Sequence, residues 1–143
     1  MKTGKDYIGT SAGAVILNPD KKIFMAQRGG GARDDQGLWE FPGGSIKMFE
    51  SREEAVIRIL KLKHNLDIKI VSTLGVYDVI DENGQEDHWI STTYLCEKIA
   101  GDEKIMQPEK CDAIGWFSLE EIQTMNISRI SNLNLIDLLR KSK

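Results

Sequence analysis

Cysteine occurs only twice in the 143 residues, as Cys96 and Cys111. Two thiols are too few for a disulfide framework or a cysteine-rich zinc site, so two reduced thiols are expected. Histidine is equally scarce, and neither His64 nor His88 has a second histidine at ligand spacing, which leaves a zinc site without support. His88, at the start of a β-rich run, reads either as a general base near a ligand or as an ordinary strand-end histidine. Basic charge is not in excess. With 19 Lys and Arg against 22 Asp and Glu, the net charge of −3 argues against a nucleic-acid polymer or an anionic membrane as partner. No apolar run approaches the roughly 20 residues that span a bilayer, and the opening MKTGKDYIGT lacks the apolar stretch of a signal peptide, so the cytoplasm is the expected location. The glycine-rich GGGARDDQG is not followed by GK[ST], so it is no P-loop, and its composition predicts a mobile loop beside a pocket.

What is present suits one globular domain over residues 1–143: hydrophobic residues make up 41% of the chain and charged residues 29%. Repeats, linkers and low-complexity segments are lacking. YIGTSAGAVIL reads as a strand that ends in the turn formers Asn18, Pro19 and Asp20. KIFMAQR follows as its partner, with Ile23, Met25 and Gln27 on one side and Phe24, Ala26 and Arg28 on the other. Ser51 stands three residues before Glu54, the spacing of a capping box, and opens a helix expected to run to about His64. Asn65 then falls where a left-handed cap is wanted. Two long β-rich runs, DIKIVSTLGVYDVI and HWISTTYLCEKIA, flank DENGQED, whose Asn83-Gly84 is a hairpin signal. CDAIGWFSL adds a short strand, Ser118 with Glu121 repeats the capping box, and NLNLIDLLRKSK is an amphipathic helix ending in basic residues. This order predicts an α/β protein with a mixed sheet packed between helices.

The segment from Gly44 to Leu66 resembles the Nudix box, G-x5-E-x7-R-E-U-x-E-E-x-G-U with U aliphatic, and its approach GLWEFPGG is similar to the MutT-like branch of that family. Gly44, Glu50 and Arg58 fit in register, as do Leu60 and Leu66 at the aliphatic positions. Ile59, Leu62 and Lys63 stand where the pattern has glutamates, and Asn65 where it has glycine. QPEKCDAIGWFSLEEI is also similar to the family, so the likeness covers roughly residues 7 to 125. It implies the Nudix α/β/α sandwich and hydrolysis of nucleoside triphosphates or other nucleoside-diphosphate-linked compounds with Mg²⁺ or Mn²⁺. It further implies structural roles for Gly43, Gly44 and Arg58. Glu50 and Glu109 are the remaining candidates for catalysis and for a weak metal site, Glu109 through the QPEKC loop that supplies a ligand or base in some members. Nudix proteins often pair, so a homodimer is a further expectation.

Positions 59, 62 and 63 share one helix face, being related by i, i+3 and i+4. Glutamates there would hold a divalent ion through hard oxygens. Ile59 and Leu62 cannot ligate, and the ammonium of Lys63 repels a cation. Lys63 could instead meet a phosphate directly, or be a solvated lysine. Glu50 and Arg58 could equally be an ion pair bracing loop and helix, and Glu109 a solvated loop residue. Arg28, Tyr77 and Trp89 are candidates for holding the nucleotide or nucleotide sugar, since aromatic faces stack on bases and Arg reaches phosphate oxygens. Trp39 and Trp116 read as core residues. Three functions follow: a hydrolase with altered apparatus, a non-catalytic nucleotide sensor, or a scaffold that works through a protein interface.

Overall fold

The computed structural model describes residues 1–32, 35–81 and 87–142. Its elements in chain order are β1 (Gly9–Leu17), β2 (Ile23–Arg28), β3 (Trp39–Glu40), β4 (Gly43–Ser45), α1 (Arg52–His64), β5 (Asp67–Ile80), β6 (His88–Ala100), β7 (Cys111–Phe117), α2 (Leu119–Ile122) and α3 (Arg129–Lys141). The Asn83-Gly84 hairpin signal lies outside the described residues.

The seven described strands form one mixed sheet in the order β3-β2-β1-β6-β5, with β4 on β1 and β7 on β2. β1 and β6 run parallel, from Gly9 opposite Trp89 to Leu17 opposite Glu97, and the other pairs are antiparallel. Side-chain alternation along β1 and β2 sorts two cores, because successive residues of a strand face opposite sides of a sheet. Ala12, Ala14, Ile16, Phe24 and Ala26 pack under α1 with Val56, Ile59 and Leu60. Val15, Ile23 and Met25 pack on the other face against Ile122 of α2 and Leu135 and Leu138 of α3. The sheet is therefore covered by helices on both faces, as the order of elements predicts.

The ends of α1 follow the chemistry of its sequence. Ser51 Oγ accepts from Glu54 N at 3.0 Å while the Glu54 carboxylate accepts from Ser51 N at 3.0 Å. At the other end Asn65 turns left-handed with φ 57°, a conformation that Asn tolerates better than most residues. Ser118 and Glu121 form a second reciprocal cap on α2. Trp39 and Trp116 are only partly buried, each packed against the rim of one core. The indole of Trp116 donates to Glu103 at 2.6 Å. Cys96 and Cys111 are both free thiols, and burial pushes Cys96 up to about 12.

The start of the glycine-rich segment, residues 29–31, is held by backbone hydrogen bonds. Gly29 N donates to Lys110 O and Gly31 N to Glu109 O, both at 2.8 Å. A β-carbon on Gly31 would lie 2.3 Å from that same Glu109 oxygen, so glycine permits the close approach. This part of the segment is thus fastened to the loop before β7.

Candidate functional site

Three glycines let β4 lie against β1 at the foot of a cleft of about 460 Å³. A β-carbon on Gly43 would stand 2.7 Å from Ala12 O, and one on Gly13 would stand 3.1 Å from Pro42 O. Gly44 faces α1, where an added β-carbon would meet Ile59 Cδ1 and Lys63 Nζ, each at 3.3 Å. The main chain of FPGG is thereby pressed between the central strand and the helix.

Lys63 reaches into this cleft from the last turn of α1. Its ammonium donates to the Gly43 carbonyl at 2.7 Å. Burial lowers its pKa, while the neighbouring Glu40 carboxylate favours the charged form and Arg28 and Lys110 oppose it. The loop that carries Lys110 is tied to the end of α1, with Lys104 N donating to His64 O and Met106 N to Lys63 O. Arg28 and Glu40 both line the cleft and form a two-pronged pair, with Arg28 Nη1 at 3.0 and 2.7 Å from the two carboxylate oxygens. This end of the cleft therefore brings the cationic side chains of Arg28 and Lys110 and the Glu40 carboxylate to bear on Lys63.

The remaining residues of the box face take different positions. Ile59 is 2% exposed and belongs to the core under α1, whereas Leu62 is 52% exposed on the outer side of the helix. Glu50 is held by Arg58, with Nε 2.6 Å from Oε2 and Nη2 2.9 Å from Oε1, and by Lys47 N at 3.0 Å. Arg58 also donates to Ser45 O at 3.1 Å, so the pair braces the loop against the helix. The Arg58 guanidinium and the Lys47 N–H hold the Glu50 carboxyl down at about 2. Glu50 and Glu109 are not among the residues that line the cleft, and the Glu109 side chain is exposed.

A divalent ion at this place needs several hard oxygen donors converging on one point. Among the described residues no three Asp, Glu, His or Cys side chains are so grouped. The Gly43 carbonyl already accepts from an ammonium, and the Glu50 oxygens already accept from Arg58 and Lys47. The residues present do not fit a carboxylate-held metal ion.

Of the four residues expected to hold a ligand, Arg28, Lys63 and Trp89 line the cleft. Tyr77 does not. Its hydroxyl donates to Asp137 of α3 at 2.8 Å, and burial together with this bond raises its pKa. His64 lies beneath the site, 4% exposed, edge-on to Phe24 with ring centroids 5.0 Å apart. Burial lowers its pKa to about 4 although its Nδ1 lies 3.2 Å from Lys104 O. His88 is anchored through its backbone N–H, which donates to Gly4 O.

The opposite end of the cleft comes from α3 and β6 and contains residues that sequence reasoning passed over. Phe41 N donates to Ser131 Oγ at 3.1 Å, and Ser128 N to Trp39 O at 2.9 Å, so α3 is docked onto the same segment that carries Gly43. One turn beyond Ser131, Asn134 lines the cleft while only 3% exposed. The available signal was a polar residue inside the apolar rhythm of LNLIDLL.

The domain model for the NUDIX domain matches residues 8–136. The chain belongs to the Nudix family. Its relatives include an ADP-ribose pyrophosphatase of Methanocaldococcus jannaschii, 34% identical over 89 residues, which are 62% of this chain and 51% of that protein. A CTP pyrophosphohydrolase of Escherichia coli is 43% identical over 65 residues, 45% of this chain and 44% of that protein. The chain thus spans about half the length of these two relatives. Among solved structures, a MutT NUDIX hydrolase from Burkholderia pseudomallei superposes with a TM-score of 0.81 at 26% identity, covering 92% of this chain and 98% of that one.

Proposed function

We propose that this Nudix protein binds nucleoside triphosphates or related nucleoside-diphosphate-linked compounds in the cleft and cleaves them at most slowly. The observation that carries the reading is the Lys63 ammonium on the Gly43 carbonyl, beside Arg28 and Lys110. An ammonium held at the foot of a partly desolvated cleft is a point charge suited to phosphate oxygens. The names of the relatives, which act on ADP-ribose and CTP, support a ligand with a pyrophosphate link. Ile59 in the core and Lys63 on a carbonyl leave no carboxylates at the three box positions to gather a metal ion. A divalent ion supplies polarisation of the phosphate and a nucleophilic hydroxide, together with several kcal/mol of transition-state stabilisation. Binding therefore persists in this reading while turnover is lost.

The test pairs two measurements on one panel of nucleoside triphosphates and nucleotide sugars, with Mg²⁺, with Mn²⁺ and with chelator. Calorimetric binding that is unchanged by chelator and weakened by Lys63→Ala, without phosphate or pyrophosphate release, is the expected result. Divalent-dependent turnover abolished by Glu50→Ala or Glu109→Ala would replace this reading with that of a rewired hydrolase. Neither binding nor turnover would leave a scaffold acting through a protein interface.

A further inference from the structure

Asn134 is 97% withdrawn from solvent, yet its Oδ1 has no hydrogen-bond partner among the described residues. A buried acceptor left unpaired carries its full desolvation penalty, so such an atom calls for an explanation. Asp87 repeats the pattern, because its Oδ1 is also buried and has no hydrogen-bond partner among the described residues. Both residues line the same cleft, and apolar atoms of Val79, Trp89 and Ile130 line it with them. Asn134 is not loosely placed, since Ser131, one turn earlier on α3, is fixed to Phe41 N.

From this arrangement we infer that the α3 end of the cleft is a nucleobase subsite that selects bases carrying an exocyclic amino group. The inference rests on the nucleotide reading of the cleft and specifies which nucleotides it takes. Apolar walls suit a flat heteroaromatic ring, and two buried acceptors require donors on that ring's edge. Guanine, cytosine and adenine carry an amino group, whereas hypoxanthine and uracil do not. Turning the Asn134 amide would exchange its acceptor for a donor, but Asp87 Oδ1 accepts in either case. A site built around buried hydrogen-bonding groups rejects analogues that leave those groups unpaired. Asn134 is then a specificity residue and has no part in bond cleavage.

Two ligand pairs probe the amino group: GTP against ITP removes it alone, and CTP against UTP exchanges it for a carbonyl with a proton on N3. Calorimetric titration of the whole chain is expected to give a preference of about 10-fold for the amino-bearing member of at least one pair. Asn134→Leu, close in size, should bring that preference to within about twofold while triphosphate binding persists. The same variant should melt at a higher temperature than the parent without ligand, because an unpaired acceptor leaves the core. Asn134→Ser serves if the leucine variant does not fold, and it too should lose the preference. Equal affinities within both pairs, or a preference that survives in Asn134→Leu or Asn134→Ser, would overturn the subsite. Failure of every triphosphate to bind, with Lys63→Ala indistinguishable from the parent, would overturn the nucleotide reading and the subsite together.

Discussion

The Lys63 ammonium lies 2.7 Å from the carbonyl oxygen of Gly43. A positive charge thus occupies the main-chain acceptor at the foot of the cleft, one residue from the Gly44 that opens the Nudix box. Removing it should weaken binding of a triphosphate by about 10-fold or more, the scale of one hydrogen bond to a charged group. Lys63→Met is expected to show that loss and Lys63→Arg to retain most of the affinity, both read by titration with chelator present. Equal affinity in Lys63→Met would remove Lys63 from the ligand site.

Restoring carboxylates to the box face should destabilise the fold very unevenly. Ile59→Glu places an ionisable group in the core under α1 and should cost at least about 3 kcal/mol. Leu62→Glu, on the exposed side of the helix, should change stability by no more than about 0.5 kcal/mol. The triple variant with Lys63→Glu should melt below the parent when no metal is added. Urea unfolding at neutral pH checks all three, and a triple variant as stable as the parent would contradict the packing described for Ile59.

Acid should weaken the protein in two successive windows. Unfolded His64 gains a proton near pH 6.5, whereas the folded residue resists until about pH 4, so the unfolded state binds more protons in between. Stability is then lost as pH falls through that interval. Glu50 titrates near 4.5 when unfolded and near 2 when paired with Arg58, so its contribution is complete above 4.5 and lost as pH falls towards 2. Denaturant midpoints measured from pH 7 to 2 should show a shallower first fall in His64→Gln and a shallower second fall in Glu50→Gln. Parallel curves for parent and variants would refute both assignments.

Phe49 sits between β4 and α1 with φ 67° and a fully exposed ring. A bulky residue held left-handed is strained, and glycine relieves the strain while adding freedom to the unfolded chain. Phe49→Gly should therefore stabilise the protein by about 0.5–1 kcal/mol in chemical denaturation. A loss of stability would mean that the ring makes contacts the fold depends on.

Much of the scaffold was legible because its signals are local. Ser51, Glu54 and Asn65 bound α1 through bonds between near neighbours, and alternation in KIFMAQR assigns Phe24 and Ala26 to one core and Ile23 and Met25 to the other. The cleft was harder to read, because its parts meet only through tertiary packing. Arg28, Lys63 and Trp89 have chemistry that suggests a ligand wherever they occur, and they do line it. Tyr77 has the same chemistry but is bonded to Asp137, a partner 60 residues away that no local pattern reveals. Asn134 and Glu40 were missed for the converse reason. An amide in a helix and a glutamate in LWEFPGG acquire meaning only once α3 and Arg28 come to rest beside them.

The bond between Phe41 N and Ser131 Oγ joins residues 90 positions apart. During synthesis, the locally capped α1 can form long before the second wall of the cleft has left the ribosome. Closing such a separation is slow relative to the local contacts of helix and turn, so α3 is expected to dock after α1 has formed. Neither end of the cleft is complete with the first half of the chain: the Lys63 end waits for Lys110 and the loop before β7, and the Asn134 end for the last helix.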